Sequence, residues 1–279
     1  MRSFVSRSLV GLALTLAGTQ SALAVVVFNY GFEQGPAGAS IASLVDTGPN
    51  GLNGTTTALT YSNNVAPAGG SFSANASGDS NFARVGDNAL MHVQSFSLSL
   101  LFNPTGSHFG TAGDSGGALV VKKNAESGGF INSFGLFHSS ATGQVYGQIS
   151  FDGVSGEQII SKDSFLSGWH SATLSLTRDF SGSTDKLELF VDGSLQASAQ
   201  GTWGPIFYTG NDLVIGAANY LNDPGGQFRR NFNGLIDQVT LTDGPVDPVA
   251  IPTPGSYALM LTGLMLLGSA VRRRKQPAA

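Results

Sequence analysis

Gly168–Ser198, GWHSATLSLTRDFSGSTDKLELFVDGSLQAS, decides the fold. In its first half Ala172, Leu174 and Leu176 alternate with Ser171, Thr173, Ser175 and Thr177. In its second half Leu187, Leu189 and Val191 alternate with Lys186, Glu188, Phe190 and Asp192. A period of two is the mark of half-buried strands. The polar loop Asp179–Asp185 lies between the halves, and Asp192-Gly193 turns the chain into Ser194–Ser198,. Three antiparallel strands in a meander, apolar on one face, are predicted.

Outward from this stretch the chain keeps the same character. It has 279 residues, 38 Gly, no Cys and only 11% charged residues. Helical periodicity shows only at the two ends, so one large all-β domain is expected between them. The absence of Cys excludes disulfides, thiolate zinc sites and a thiol nucleophile.

At the N-terminus Arg2 and Arg7 precede the apolar run Leu9–Ala17, and Ala22-Leu23-Ala24 is a small-x-small cleavage site. Residues 1–24 therefore read as a secretory signal peptide. Residues 244–255 form a Pro-rich spacer, with Pro245, Pro248, Pro252 and Pro254,. Residues 256–279 hold an apolar stretch, Tyr257–Val271, and then Arg272, Arg273, Arg274 and Lys275. Fifteen helical residues span about 22 Å, short of a hydrocarbon core of about 30 Å, so the stretch alone is a weak anchor. Its basic tail belongs on the cytoplasmic side. All 18 acidic residues lie between Val25 and Ala250, against eight basic ones there, for a net charge of −10. Nucleic acid and anionic lipid are poor partners for such a domain.

The C-terminal segment resembles the PEP-CTERM sorting signal of Gram-negative bacteria. A Pro-x-Pro motif is followed by Tyr257-Ala258-Leu259-Met260-Leu261 and the Arg cluster, and Pro252-Thr253-Pro254 stands where the pattern has Pro-Glu-Pro. The resemblance implies export, transient inner-membrane anchoring, processing by an exosortase, and an address at the cell surface or outside the cell, often beside exopolysaccharide.

Between the ends, strands are predicted at Val25–Phe32, Ser71–Ala76, Phe82–Val85, Phe96–Asn103, Ala118–Lys122, Phe134–His138, Val145–Phe151, Gln158–Ser161, Leu213–Gly216 and Asn233–Thr242. The turn formers of Asp46–Gly54 exclude helix and central strand there,. Many short strands divided by Gly-rich turns indicate a sandwich or jelly roll. Residues 25–243 form one domain, since no repeat and no long interior linker appears.

The order of motifs resembles the laminin-G-like branch of the concanavalin A-like jelly rolls. The motifs are Phe28–Glu33 (FNYGFE), the Asp46–Gly54 loop, Gly70–Ser73, Phe82–Val85 and Ser95–Leu100. Then come Trp169-His170, Leu187–Gly193 (LELFVDG), Leu213–Gly216 (LVIG) and Phe232–Val239 (FNGLIDQV). The resemblance implies a jelly-roll sandwich of two antiparallel sheets.

Gly113-Asp114-Ser115-Gly116-Gly117 reproduces the nucleophile motif of chymotrypsin-like proteases. That chemistry needs a His base oriented by an Asp, both far upstream. Before Ser115 the domain offers only His92 and His108, and too little chain for a first barrel. A turn feeding the next strand is the expected reading. Glycoside hydrolases of the same superfamily carry Glu-x-Asp-x-x-Glu or a close variant, which is missing. Glu188 and Asp192, four apart on a strand, stand about 13 Å apart, whereas a retaining pair needs about 5.5 Å. Asp152 and Glu157 fall across a Gly-containing turn. No catalytic residues are assigned, and the four His show no metal-ligand spacing,.

Asp237 lies between Leu235 and Val239 in a period-two strand and is expected to share their face. A buried carboxylate must be paired, hydrogen-bonded or bound to a cation. The resemblance implies one structural Ca²⁺ held by Asp237, by oxygens near Glu33 and by the Asn50-Gly51 carbonyls. Backbone N–H groups without metal would serve Asp237 equally well.

Trp203, Phe207, Tyr208 and Tyr220, with Arg229 and Arg230, are candidates for stacking on a sugar, and core packing is the competing role of each,. The expected function is a non-enzymatic binding or structural module contacting polysaccharide or a surface protein. The alternative is a divergent glycoside hydrolase or lyase of the same superfamily.

Overall fold

The computed structural model describes residues 24–67, 69–78, 80–108, 116–124, 132–219 and 228–246; for 219, 228 and 229 it describes the backbone alone. The early strands are β1 Val25–Tyr30, β2 Ser43–Leu44, β3 Gly54–Thr57, β4 Thr60–Ser62, β5 Ser73–Asn75, β6 Phe82–Val85 and β7 Phe96–Pro104. The middle ones are β8 Gly116–Lys123, β9 Asn132–Ser139, β10 Val145–Ser150, β11 Gly156–Ile160, β12 His170–Thr177, β13 Asp185–Val191 and β14 Ser194–Gly201. The last are β15 Leu213–Ile215, β16 Ala218–Asn219, β17 Phe228–Arg229 and β18 Gly234–Asp243. A single 3₁₀ turn, Ala89–Met91, is the one helical piece among the described residues. The two sorting segments and Gly113–Ser115 lie outside them.

Two antiparallel sheets stack as a sandwich. The first runs β14-β13-β12-β7-β18-β5-β4, with β1 also on β18, and the second runs β11-β10-β9-β8-β15-β6-β3-β2. The predicted meander is β12–β13–β14. Leu174 sits opposite Leu189, and Asp192 and Gly193 take positive φ of 51° and 74°, the two-residue turn that suits twisted strands,. Ala172, Leu174, Leu176, Leu187 and Leu189 are wholly buried in the core between the sheets, with Phe96, Leu98, Phe134, Leu136, Val145 and Ile149.

Adjacent residues of a strand face opposite sides. Phe137, next to Leu136, therefore belongs to a second buried cluster on the other face of the second sheet, with Phe82, Val121 and Val214 and with Tyr146 packed against it. β2, β3 and β4 were not expected: Gly54–Thr57 and Thr60–Ser62 carry few apolar side chains, and pairing with β6 and β5 makes them strands.

Val25 pairs with Asp243, so the chain before β1 and the chain after β18 leave the sandwich at one end. Phe96 pairs with Asp243 and lies 4.9 Å from Phe134, while Phe102 lies 5.6 Å from His138. The Ser139 end of β9 is thus opposite the end where the chain enters and leaves.

Candidate functional site

A groove of about 360 Å³ opens on the outer face of the second sheet, lined by Ser139, Thr142, Gln144, Tyr146, Gln148, Gln158, Ile160 and Arg230. The period of β10 builds its floor: Val145, Gly147 and Ile149 turn inward, as expected, and Tyr146 and Gln148 turn outward. Gln148 pairs with Gln158, and Gln148 Nε2 donates to Gln158 Oε1 at 2.6 Å. Gln144 Nε2 donates to the Ser161 carbonyl at 2.8 Å. The Tyr146 ring stacks on Phe137 at 5.3 Å, and its hydroxyl lies where a Cβ on Gly116 would stand, so a side chain there would have to displace the Tyr146 hydroxyl. Sequence reasoning singled out Arg230 only as a neighbour of Arg229 and missed the amides. The outward alternation of β10 and β11 was their signal.

Asp237 is fully buried, by a route that differs from the expectation. β18 pairs with β5 through Leu235 and Ile236 and with β1 from Val239 onward, and its register on β7 shifts between Asp237 and Thr240. Gln238 has φ 48° at this bulge. The bulge changes the phase of the strand, so Ile236, Val239 and Leu241 point into the core, and Asp237 shares its face with Leu235, not with Val239,. Glu33, just after β1, reaches Gly70 and Ser71, just before β5. Glu33 Oε2 accepts from the Ser71 N–H at 2.8 Å. Asp237 Oδ1 accepts from the Gln238 N–H at 2.7 Å, and Oδ2 completes no hydrogen bond. Burial, reinforced by the Glu33 charge, pushes the Asp237 carboxyl up to about 7, against the smaller opposing pull of the Gln238 and Gly70 N–H groups,.

The other two expected calcium ligands stand elsewhere. Asn50 Nδ2 donates to the Val27 carbonyl at 2.8 Å, towards the opposite end of β1 from Glu33. The loop holding Asn50 and Gly51 closes instead on Asp46, whose oxygens accept from the N–H groups of Asn29, Gly48 and Leu52 at 2.7 to 2.9 Å. A turn-rich loop that satisfies its own carboxylate has no reason to reach Asp237. Among the described residues no three His, Cys, Asp or Glu side chains cluster as a metal site.

Three of the four His gather where the groove ends. The Asn233 N–H donates to His108 Nδ1 at 3.1 Å, His108 Nε2 lies 2.8 Å from His138 Nδ1, and His138 Nε2 lies 2.9 Å from the Phe165 carbonyl. An accepting Nδ1 places the His108 proton on Nε2, which donates to His138 Nδ1. The His138 proton is then on Nε2, facing Phe165. Burial lowers His108 to about 3 and His138 to about 4, helped at His108 by His138 and at His138 by His170. His170 bonds to Asp192 at 2.8 Å. These residues are far apart in the chain, so no spacing rule could have gathered them.

Two of the aromatic candidates, Tyr208 and Trp203, are anchors. Tyr208 donates to the Val93 carbonyl at 2.5 Å, stacks on His92, and has its hydroxyl pushed up by burial. Trp203 stacks on Phe151 at 5.6 Å, and Arg178 donates to its carbonyl. Phe207 stays exposed. Tyr220 and the Arg229 side chain lie outside the described residues. Of the tempting carboxylates, Glu188 pairs with Lys186 at 2.7 Å, and Asp152 accepts from the N–H groups of Val154 and Ser155.

Residues 77–251, more than half of the chain, match a laminin-G-like family described as the concanavalin A-like lectin/glucanases superfamily. The chain belongs to this superfamily. A comparison with curated proteins gives no sequence match. Among solved structures, the superfamily domain superposes on the binding domain of Paraclostridial Mosquitocidal Protein 1 (TM-score 0.54, 12% identity, 80% of this chain and 49% of that one). It also superposes on the binding domain of botulinum neurotoxin serotype D/C (TM-score 0.53, 14% identity, 80% and 49%). A third match is a botulinum neurotoxin type C structure whose cell entry depends on two ganglioside molecules (TM-score 0.53, 13% identity, 80% and 49%). The chain spans about half the length of these relatives, and at such identities the likeness is one of fold.

Proposed function

We propose that the protein is an exported, non-enzymatic binding module of the bacterial cell surface or extracellular matrix, contacting polysaccharide or a surface protein. The observation that carries the reading is the placement of the groove. Its Ser139 and Thr142 end lies opposite the end where the chain enters at Val25 and leaves at Asp243. A domain tethered through either flanking segment presents that end outward. The PEP-CTERM-like signal, with Pro252, Thr253, Pro254 and the Arg272–Arg274 cluster, accounts for delivery by an exosortase-type enzyme after transient inner-membrane anchoring. Relatives of the same fold that bind gangliosides or synaptotagmin add support for a glycan or surface-protein partner.

The hydrolase alternative finds little to work with. Glu33 and Asp237 are neighbouring carboxylates, yet Asp237 has no accessible surface for a glycosidic oxygen to reach. Pull-down from envelope fractions together with a glycan array tests the binding reading, and the absence of both a glycan and an envelope partner overturns it.

A structural Ca²⁺ belongs to the proposal in reduced form. Asp237 Oδ2 is buried and completes no hydrogen bond, although the Gly70 N–H faces the carboxyl, and the Glu33 carboxylate stands against Gly70 and Ser71. Hard oxygen donors of this kind fit Ca²⁺. Glu33 and Asp237 would hold it, without Asn50 or Gly51, and it would neutralise a carboxylate that otherwise keeps its proton near neutral pH.

A further inference from the structure

The outer face of β10 and β11 carries two cross-strand rows of opposite character. Tyr146 pairs with Ile160 and Gln148 with Gln158, so an apolar row runs beside an amide row. Phe137, directly across from Tyr146 on β9, stacks parallel to its ring within 8° and fixes it. Ile160 keeps 45% of its surface exposed within the groove. The amides are oriented before any ligand arrives. Gln148 donates to Gln158 Oε1, leaving the two Nε2 hydrogens of Gln158 without a described acceptor, and Gln144 is held on the Ser161 carbonyl. None of the eight lining residues is acidic, although the domain carries a net charge of −10 between Val25 and Ala250.

A pyranose ring has the matching asymmetry, with an apolar C–H face and a rim of hydroxyls that both donate and accept. Neutral amides serve such hydroxyls in both directions, and an apolar row beside them covers the C–H face. The volume falls within the range of about 300–1,000 Å³ typical of small-molecule sites, and the groove is open to a chain longer than one sugar. We propose that this groove binds a neutral saccharide, its C–H face on Tyr146 and Ile160 and its hydroxyls on Gln144, Gln148 and Gln158. The proposal names the site and ligand class for the polysaccharide arm of the binding reading and rests on it.

Affinity electrophoresis of the full chain through gels holding dextran, laminarin, mannan or alginate tests it. At least one neutral polymer is expected to retard the protein. Gln158→Ala is expected to weaken that retardation several-fold, and Gln148→Ala with Gln158→Ala about ten-fold, at unchanged melting temperature. Retardation by a neutral polymer that both variants leave intact overturns this site while the surface-binding reading stands. Retardation by alginate alone, lost in Arg230→Gln, overturns the neutral class. If no polymer retards the protein, the inference falls; an envelope protein captured in the pull-down would then leave the binding reading standing without it.

Discussion

His108 Nε2 stands 2.8 Å from His138 Nδ1, and the pair bridges the Asn233 N–H to the Phe165 carbonyl with both rings neutral. Folded, the rings take their second protons only near pH 3 and 4, against about 6.5 unfolded,. Between those values the unfolded chain binds more protons, so the contribution is fully present above pH 6.5 and is lost as pH falls towards 4. The loss amounts to a few kcal/mol. Thermal melts between pH 7 and 4.5, in an Asp237→Asn background, are expected to show a falling melting temperature. Replacing both rings, His108→Phe with His138→Leu, flattens that slope. A midpoint that does not move in the Asp237→Asn background contradicts the neutral assignment.

Asp237 acts in the opposite sense. Its carboxyl is raised from 3.8 to about 7, so its contribution is fully present below pH 3.8 and is lost as pH rises through 7,. At pH 8 the buried carboxylate is ionised and needs a counter-ion. Chelator is expected to lower the melting temperature at pH 8, and added Ca²⁺ to restore it. Asp237→Asn is expected to remove the difference and raise the chelated midpoint. Equal midpoints with Ca²⁺ and chelator, in protein shown to be metal-loaded beforehand, reject the site.

The sandwich was legible because its central strands alternate cleanly: Phe96 to Phe102, Ala172 to Leu176 and Leu187 to Val191 each write one face in period two. Glu33 and Asp237 were legible as neighbours from the family order of motifs. Asp237 was misplaced on its strand because a bulge leaves no compositional mark, and Gln238 at φ 48° is an ordinary residue in an unusual conformation. The groove was read past because Gln148 and Gln158 look like the solvated side of two strands. Only the register that sets them opposite each other, beside Tyr146 and Ile160, makes them a floor.

Gly54 marks where the second sheet admits no side chain. A Cβ there would stand 2.3 Å from the Arg84 carbonyl oxygen, a backbone atom fixed by the pairing of β3 with β6. Gly54→Ala is expected to cost about 1–3 kcal/mol by overpacking, read by urea unfolding. A methyl at Gly86 meets no atom within 4 Å, so Gly86→Ala should unfold like the wild type.

Arg178 ties down the end of the sandwich where the chain enters and leaves. Its Nε donates to the Gln94 carbonyl, Nη1 to Asp185 Oδ2 and the Trp203 carbonyl, and Nη2 to the Gly204 carbonyl, at 2.6 to 3.2 Å. Asp185 is buried, and it also accepts from the N–H groups of Asp179 and Trp203. Burial pushes its carboxyl up, but those bonds and Arg178 outweigh it and hold the carboxyl below the usual range. Removing the guanidinium leaves a buried carboxylate without its cation, which costs about 3–5 kcal/mol. Arg178→Ala is expected to lose most of that amount in urea unfolding. Arg178→Lys should recover only part, because one ammonium cannot reach four acceptors spread over three segments. None of the four residues that the Arg178 guanidinium bonds lines the groove, so saccharide retardation of still-folded Arg178→Lys should equal that of the wild type. A loss of retardation in that variant would mean that the two ends of the sandwich are coupled.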